Sequence, residues 1–262
     1  MMLQSDETDA LIGNTGFVGS NLLRTSSFGS LFNSTNVDEI RGRKFRKLVC
    51  AAPGSEKWKA NLDPASDRAA VEKLWHSLES VRAEKLVLIS TVDVYPYPVG
   101  VDENSDIDIE RCSPYGRHRL ELERKVADRF EALIVRLPGL FGPGLRKNAL
   151  YDLLNDHRVS AIDSRAVYQF YDVTRLAHDL ELAERANLGL LNVATEPIGI
   201  DRVARDVFDV AVARGENPIP ARYDFRSKHA ELFGGRDGYL QGSNAVLEEI
   251  REWVLGEREA KT

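Results

Sequence analysis

Cysteine is scarce in this chain: Cys50 and Cys112 are the two such residues among 262. A disulfide scaffold uses more, so a reducing cytoplasm is the expected compartment and the fold must rest on its core. Cys50 lies inside the apolar run "LVCAA", where packing accounts for it. Long apolar runs are missing as well. None approaches the roughly 20 residues of a membrane-spanning helix, and the start, "MMLQSDETD", is polar and acidic, unlike a secretory signal. Positive charge is not in excess: 35 Lys and Arg stand against 41 Asp and Glu, for a net charge of -6. The nearest approach to a basic block, "RGRKFRK" from Arg41 to Lys47, reads as a solvated helix end and loop. Neither a nucleic-acid nor a membrane partner is therefore expected. Five histidines without ligand spacing predict no metal site.

What is present is core material, 43% hydrophobic residues beside 29% charged ones. It is arranged in alternation. "ALIGNTGFVGSNLLR" reads as strand, tight turn and helix. "SLFNS" is a second short strand, and Asn36 and Glu39 in "NVDEI" have the spacing of a helix capping box. "KLVCAAP" reads as a third strand, "DPASDRAAVEKLWHSLESV" as a helix with Leu74, Leu78 and Val81 on one face, and "KLVLIST" as a strand covered on both faces. "SPYGRHRLELERKVADRF" is helical, "ALIVRLPGLFG" a strand, "NALYDLL" a helix, "AVYQFYDV" strand-like, "TRLAHDLELAERA" a helix and "GLLNVAT" a strand. Such alternation predicts an α/β fold with a doubly wound parallel sheet. Past Ala194 the pattern loosens into two amphipathic helices, "IGIDRVARDVFDVAVAR" and "SNAVLEEIREWVL", around a Gly/Pro-interrupted stretch. The expected division is a dinucleotide-binding domain over 1–194, with an insertion near 145–165, and a small substrate lobe over 195–262.

Gly13, Gly16 and Gly19, with Thr15, Phe17 and Val18 between them, occupy the first strand–helix turn. Glycines there let backbone N–H groups approach a pyrophosphate at the helix N-terminus. The adenosine ribose would meet Asn33 and Ser34 at the end of the second strand, where no carboxylate stands. A 2′-phosphate would not be repelled, and Arg41 or Arg43 could reach it. The cofactor reading is thus NAD or NADP, with a slight lean to NADP.

In "SPYGRHR", Tyr115 precedes Arg119 by one helical turn, which sets both on one face. Together with "LIGNTGFVGSNL", "KLVLISTVDVYP" and "VRLPGLFGPG", and less closely "YQFYDVTRLA" and "NVATEPIGIDRVAR", this segment resembles the extended short-chain dehydrogenase/reductases, specifically the NAD-dependent epimerase/dehydratase family. The resemblance implies a Rossmann-type sheet and hydride transfer to or from a sugar, nucleotide sugar or similar hydroxylated substrate. It implies that Thr91 (with Ser90 as runner-up) orients the substrate oxygen and that Tyr115 exchanges the proton. Ala51, Ala52 and Pro53 would lie along the cofactor, and Leu137 and Pro138 near the nicotinamide. Where the family carries a lysine, this chain has Arg119. A phenol titrates near about 10, so a neighbouring cation is needed to bring out its basicity. Arg119 keeps the charge but changes its shape.

Substrate contacts are expected from Asp93, Tyr95 and Gly139. Gly139 stands where the family tends to have asparagine, and Tyr168 where it tends to have arginine; Arg222 is a poor match to a further family arginine. His118 reads as exposed helix surface, and Asp102, Glu103, Asp106, Asp108 and Glu110 as a solvated acidic loop. The resemblance also implies a homodimer through a four-helix bundle built from "DRAAVEKLWHSLESV" and "SPYGRHRLELERKV", with Trp75 and Leu122 giving apolar contacts. Two readings stay open: an enzyme in which Arg119 supports turnover, and a catalytically lapsed NAD(P)(H)-binding sensor or scaffold.

Overall fold

A computed structural model describes residues 8–54 and 56–260. In chain order come β1 (Ala10–Ile12), α1 (Phe17–Thr25), β2 (Ser30–Phe32), β3 (Lys44–Cys50), α2 (Lys57–Leu62), α3 (Pro64–Leu78), β4 (Arg82–Thr91), α4 (Pro114–Arg129) and β5 (Ala132–Leu137). After these follow β6 (Gly139–Phe141), α5 (Ala149–Leu154), β7 (Val167–Tyr168), β8 (Phe170–Asp172), α6 (Leu176–Arg185), β9 (Leu190–Asn192), β10 (Ile198–Gly199), α7 (Ile200–Val203) and α8 (Ser243–Glu259).

Six strands make one doubly wound sheet in the order β2-β1-β3-β4-β5-β9. β1 pairs in parallel with both β2 and β3, and β3 with β4. Chain order reverses between β1 and β3, the switch point at which such sheets open a crevice beyond their carboxyl ends. The register decides what meets there. Ile12 is level with Phe32 on one side and Cys50 on the other, so Gly13, Asn33 and Ala51 emerge side by side.

Two compact units divide the chain. One takes the residues up to 96 with 106–136 and 177–191; the other takes 97–105, 137–176 and 192 onward. The second unit therefore draws in more of the chain than the expected insertion near 145–165 and lobe over 195–262. Each has its own core. Ile12, Leu48, Leu74, Leu78, Val81, Leu86, Leu88 and Leu122 are buried together in the first. Phe141, Phe170, Ile200, Val246 and Ile250 are among those buried in the second. Each fully buried large aliphatic or aromatic side chain is worth about 1.5–3 kcal/mol.

Three local expectations are corrected. Asn36 does not cap a helix: its Oδ1 accepts from the Asn33 N–H at 2.8 Å, and only one 3-10 turn, Val37–Ile40, follows. The helix expected over 198–214 is cut short. After α7 the chain makes a five-residue wide turn, Ala204–Phe208, and Asp209 turns left-handed (φ 56°) and ends it. Beyond it Val210 and Val212 pack on the second core with the alternation of extended chain, which a helical reading of their β-branched side chains misses. The acidic loop is not wholly solvated either. Glu103 accepts from the Asn192 N–H (2.8 Å), the Ser227 hydroxyl (2.7 Å) and the Lys228 N–H (2.9 Å), tying the loop down within the second unit.

Candidate active site

The first unit contains a cradle shaped by backbone. Gly13 has φ +90°, and a Cβ there would stand 2.5 Å from the Ala51 carbonyl oxygen. A Cβ on Gly19 would stand 2.1 Å from the Gly13 carbonyl oxygen. Only glycine fits either place. The Gly13 N–H donates to the Phe32 carbonyl at 2.7 Å, which pins the loop to the end of β2. The N-cap of α1 is Gly16, which brings no side chain to satisfy the first-turn amides, the arrangement that suits an anion at a helix N-terminus. Within the loop, Asn14 Oδ1 is buried with no hydrogen-bond partner. The residues present fit a dinucleotide pyrophosphate.

At the end of β2, Asn33 folds its Oδ1 onto the Thr35 N–H (2.9 Å), and Ser34 is exposed. Arg43 does not come here. Arg43 precedes β3 and so sits at the amino end of the sheet, where it bonds the Ser30 hydroxyl and covers the Phe32 and Phe45 rings. Arg41 is held by Asp38 at 2.8 Å, a carboxylate that Lys73 also approaches, at 3.8 Å. The cation that does arrive is Lys73 of α3, 3.4 Å from the Ser34 carbonyl oxygen and absent from the sequence expectation.

Beside the cradle, at the end of β4 and the start of α4, stand Thr91 and Tyr115. α4 begins sharply because Ser113 accepts from the Gly116 N–H (3.2 Å) and Pro114 takes the first helical position. Its first turn packs on the backbone of the 92–94 turn so closely that a Cβ on Gly116 would come 2.1 Å from the Asp93 carbonyl oxygen. Tyr115 is 5% exposed, and its phenol hydrogen-bonds with Thr91. Burial pushes the phenol above its ordinary range. The charge of Arg119 pulls it back, Asp93 adds to the rise, and Thr91 and Lys57 lower it, with burial prevailing.

Arg119 is buried rather than a surface cation, at 5% exposure. Its guanidinium lies over the Tyr115 ring, 4.0 Å from the centroid, donates to the Gly54 carbonyl at 2.8 Å and pairs with Asp67. His118, expected on exposed surface, is also buried and meets the same carboxylate at 2.7 Å. Burial opposes ionisation of Asp67, but the bonds from Arg119 and His118 outweigh it and hold the carboxyl below its ordinary range. The helix angle of His118 points at α3, an element whose packing partner no local pattern reveals.

Asp93 is half-buried, paired with Lys57 at 2.7 Å, and donates its N–H to Thr91 Oγ1 at 3.1 Å. Ser90, the runner-up, is committed inward: its hydroxyl donates to Glu123, which is fully engaged with Arg136. Tyr95 belongs to that buried set, not to an exposed substrate face. It is 3% exposed and its hydroxyl accepts from Arg136 at 2.8 Å. Ala51 continues β3, its N–H donating to the Ile12 carbonyl at 2.9 Å, and Ala52 and Pro53 follow it past the sheet edge.

Pro138, Gly139, Tyr168 and Arg222 belong to the second unit. There Gly139 is exposed, and a Cβ on it would stand 3.1 Å from the Gln169 carbonyl oxygen and 3.3 Å from the Phe170 ring, a tight fit that a side chain would enter only with a small shift of its neighbours. Tyr168 stacks on Tyr223, centroids 6.0 Å apart, and Arg222 is exposed. Among the described residues no group of three His, Cys, Asp or Glu is placed to hold a metal ion, and no helix is long and apolar enough to cross a membrane.

A glycine cradle at the switch point of a parallel sheet, with a hydroxyl–phenol pair one strand away, defines a dinucleotide-binding fold of the short-chain dehydrogenase/reductase type. The model of the NAD dependent epimerase/dehydratase family matches residues 29–170, more than half of the chain, and the protein belongs to that family. No curated protein matches the sequence. Among solved structures, a UDP-N-acetylglucosamine 4-epimerase from Methanobrevibacter ruminantium superposes with a TM-score of 0.71 at 16% identity, over 96% of this chain and 98% of its own. TunA, an NAD-dependent NDP-hexosamine 5,6-dehydratase, gives 0.74 at 19%, over 96% and 97%. A dTDP-4-dehydrorhamnose reductase from Clostridium acetobutylicum gives 0.73 at 18%, over 95% and 99%. At these identities the likeness is one of fold.

Proposed function

We propose that this protein is an NAD(P)-dependent oxidoreductase of the epimerase/dehydratase type acting on a sugar or nucleotide sugar. One observation carries the reading: the phenol of Tyr115 and the hydroxyl of Thr91 meet in the same unit as an intact glycine cradle. Solved relatives support it, since MoeE5 is described in complex with UDP-glucose and NAD.

Gly13, Gly16 and Gly19 and the first-turn amides of α1 would hold the pyrophosphate, and the bound nicotinamide would supply hydride acceptance and donation. Thr91 orients the reacting oxygen of the substrate. Tyr115 gives or takes the proton at its phenol oxygen. Asp93 is the polar group next to them. The lean to NADP is supported by Lys73 near Ser34 and by the lack of a carboxylate on Asn33 and Ser34 themselves, with Asp38, 3.8 Å from Lys73, the group that opposes it. A homodimer through α3 and α4 belongs to the same proposal. Leu122 cannot serve it, because it is 2% exposed within its own core, whereas Trp75 is half-buried under Lys125. Sedimentation velocity tests it.

The second reading, a sensor that binds dinucleotide without turning it over, is favoured by the commitment of Arg119 to Asp67 and Gly54. Titration with NAD, NADH, NADP and NADPH, followed by turnover assays on nucleotide sugars with Tyr115→Phe, separates the two. Binding plus turnover lost in Tyr115→Phe supports the enzyme; binding without turnover in either form supports the sensor; no binding overturns both.

A further inference from the structure

Charged groups face Tyr115 from every element packed on it. Arg119 comes from its own helix, Asp93 from the 92–94 turn and Lys57 from α2, with Asp67 and His118 standing behind Arg119. The two cations differ in what they can do. The Arg119 guanidinium lies over the ring face, spends donors on Asp67 and the Gly54 carbonyl, and has its charge met by a carboxylate at close range. It is a clamp on the ring. A planar fork held at two points does not follow a proton.

Lys57 is placed otherwise. α2 docks directly on Tyr115, since Asn61 Oδ1 accepts the Tyr115 backbone N–H at 3.0 Å. Lys57 lies one turn before Asn61 and shares its face of the helix. Its ammonium is 2.7 Å from Asp93 Oδ1 on a side chain 44% exposed, so the stem retains room to swing. Asp93 is joined through its N–H to Thr91, which bonds the phenol. Lys57, Asp93, Thr91 and Tyr115 thus form one contiguous polar chain.

We propose that Lys57 is a positioning residue for Tyr115, its ammonium delivered by α2 and held at rest by Asp93 to balance the negative charge left when the phenol gives up its proton. This rests on the enzyme reading above. When the phenol O–H bond breaks and the substrate oxygen takes the proton, one negative charge stays on Tyr115. A mobile cation nearby lowers the cost of that state, and the reverse transfer restores the Lys57–Asp93 pair. The lysine missing from the helix position of Arg119 is in this way replaced in role by one from a different element.

The test is a titration that needs no dinucleotide. Fluorotyrosine is incorporated at position 115 of the full-length protein, which brings the phenol into a milder pH range, and fluorine NMR follows it. Lys57→Met is expected to raise the midpoint by about 0.3 pH unit, twofold in acidity, since its charge acts on the phenol less than those of Arg119 and Asp93. Lys57→Arg should restore it. Asp93→Asn, which removes the opposing carboxylate, should lower it and gives an independent reading should Lys57→Met misfold. An unchanged midpoint in Lys57→Met or in Asp93→Asn overturns the proposal. Failure of all four dinucleotides to bind would instead sink the enzyme reading while leaving this titration readable.

Discussion

Tyr115 shows how far one side chain's chemistry is set by its neighbours. The free phenol would titrate near about 10. Here burial raises it further, and Arg119 pulls it down less than burial pushes it up. A raised value in the fold means that burying the neutral phenol stabilises the protein below its ordinary titration range. That contribution is lost as pH climbs through the raised value. Activity in the direction that starts from phenolate should accordingly rise with pH into the alkaline range, which a pH profile of kcat checks. Tyr115→Phe should lower turnover by roughly 10²–10⁴-fold with cofactor affinity nearly unchanged. Asp67 is the opposite case. Its carboxyl is depressed, so its hold on Arg119 and His118 is complete above the ordinary carboxylate range and is lost as pH falls through the lowered value. Asp67→Asn should flatten the acid limb of a stability-against-pH curve. The buried Glu123–Arg136 pair carries a third expectation. With side chains 3% and 6% exposed, it cannot lose one charge cheaply. Glu123→Gln should cost about 3–5 kcal/mol in urea unfolding, since Arg136 is left without its counter-charge.

At the level of elements, two sharp constraints are places without a Cβ. Gly116 allows α4 to lie against the 92–94 turn, and that approach brings Tyr115 to Thr91. Gly116→Ala should destabilise the fold by about 1–3 kcal/mol and, in whatever folds, lower turnover by displacing Tyr115. Gly19→Ala should strike the cofactor instead, because its Cβ collides with the turn at Gly13; isothermal titration with dinucleotide reads the loss. Two helix starts show capping beside proline: Asp63 accepts from the Ser66 N–H before Pro64, and Ser113 from the Gly116 N–H before Pro114. Asn36 had the spacing of a cap and caps nothing, since its side chain closes a turn with Asn33.

For the molecule as a whole, the parallel sheet decides which end of each strand carries function. Arg43 and Cys50 bracket β3, yet only the Cys50 end opens at the switch point. Of the arginines expected to meet a 2′-phosphate, Arg43 is at the far end of the sheet and Arg41 is paired with Asp38, and Lys73 is the cation beside Ser34. Lys73→Glu should weaken NADP relative to NAD by roughly 0.5–1 kcal/mol, a few-fold in Kd, by calorimetry. The strand–helix alternation and the glycine turn could be read from the chain because each rests on local rules: period, spacing and turn chemistry; Thr91 and Tyr115 were singled out by the family resemblance, and the fold brings them together. Cys50, placed by its apolar run, is indeed buried, and burial pushes its thiol up to about 12. The surroundings of those residues could not be read this way. Arg119 and His118 are inside because Asp67, on another helix, makes their burial tolerable, and a buried charge survives only with its partner. Ser90 faces inward because Glu123 and Arg136 claim it, and Lys57 comes near Tyr115 because α2 folds back onto it. Which residue types stand at which spacing is a matter of local pattern; which of them are buried, paired or able to move depends on contacts between segments distant in sequence, and those exist only once the sheet and helices have packed.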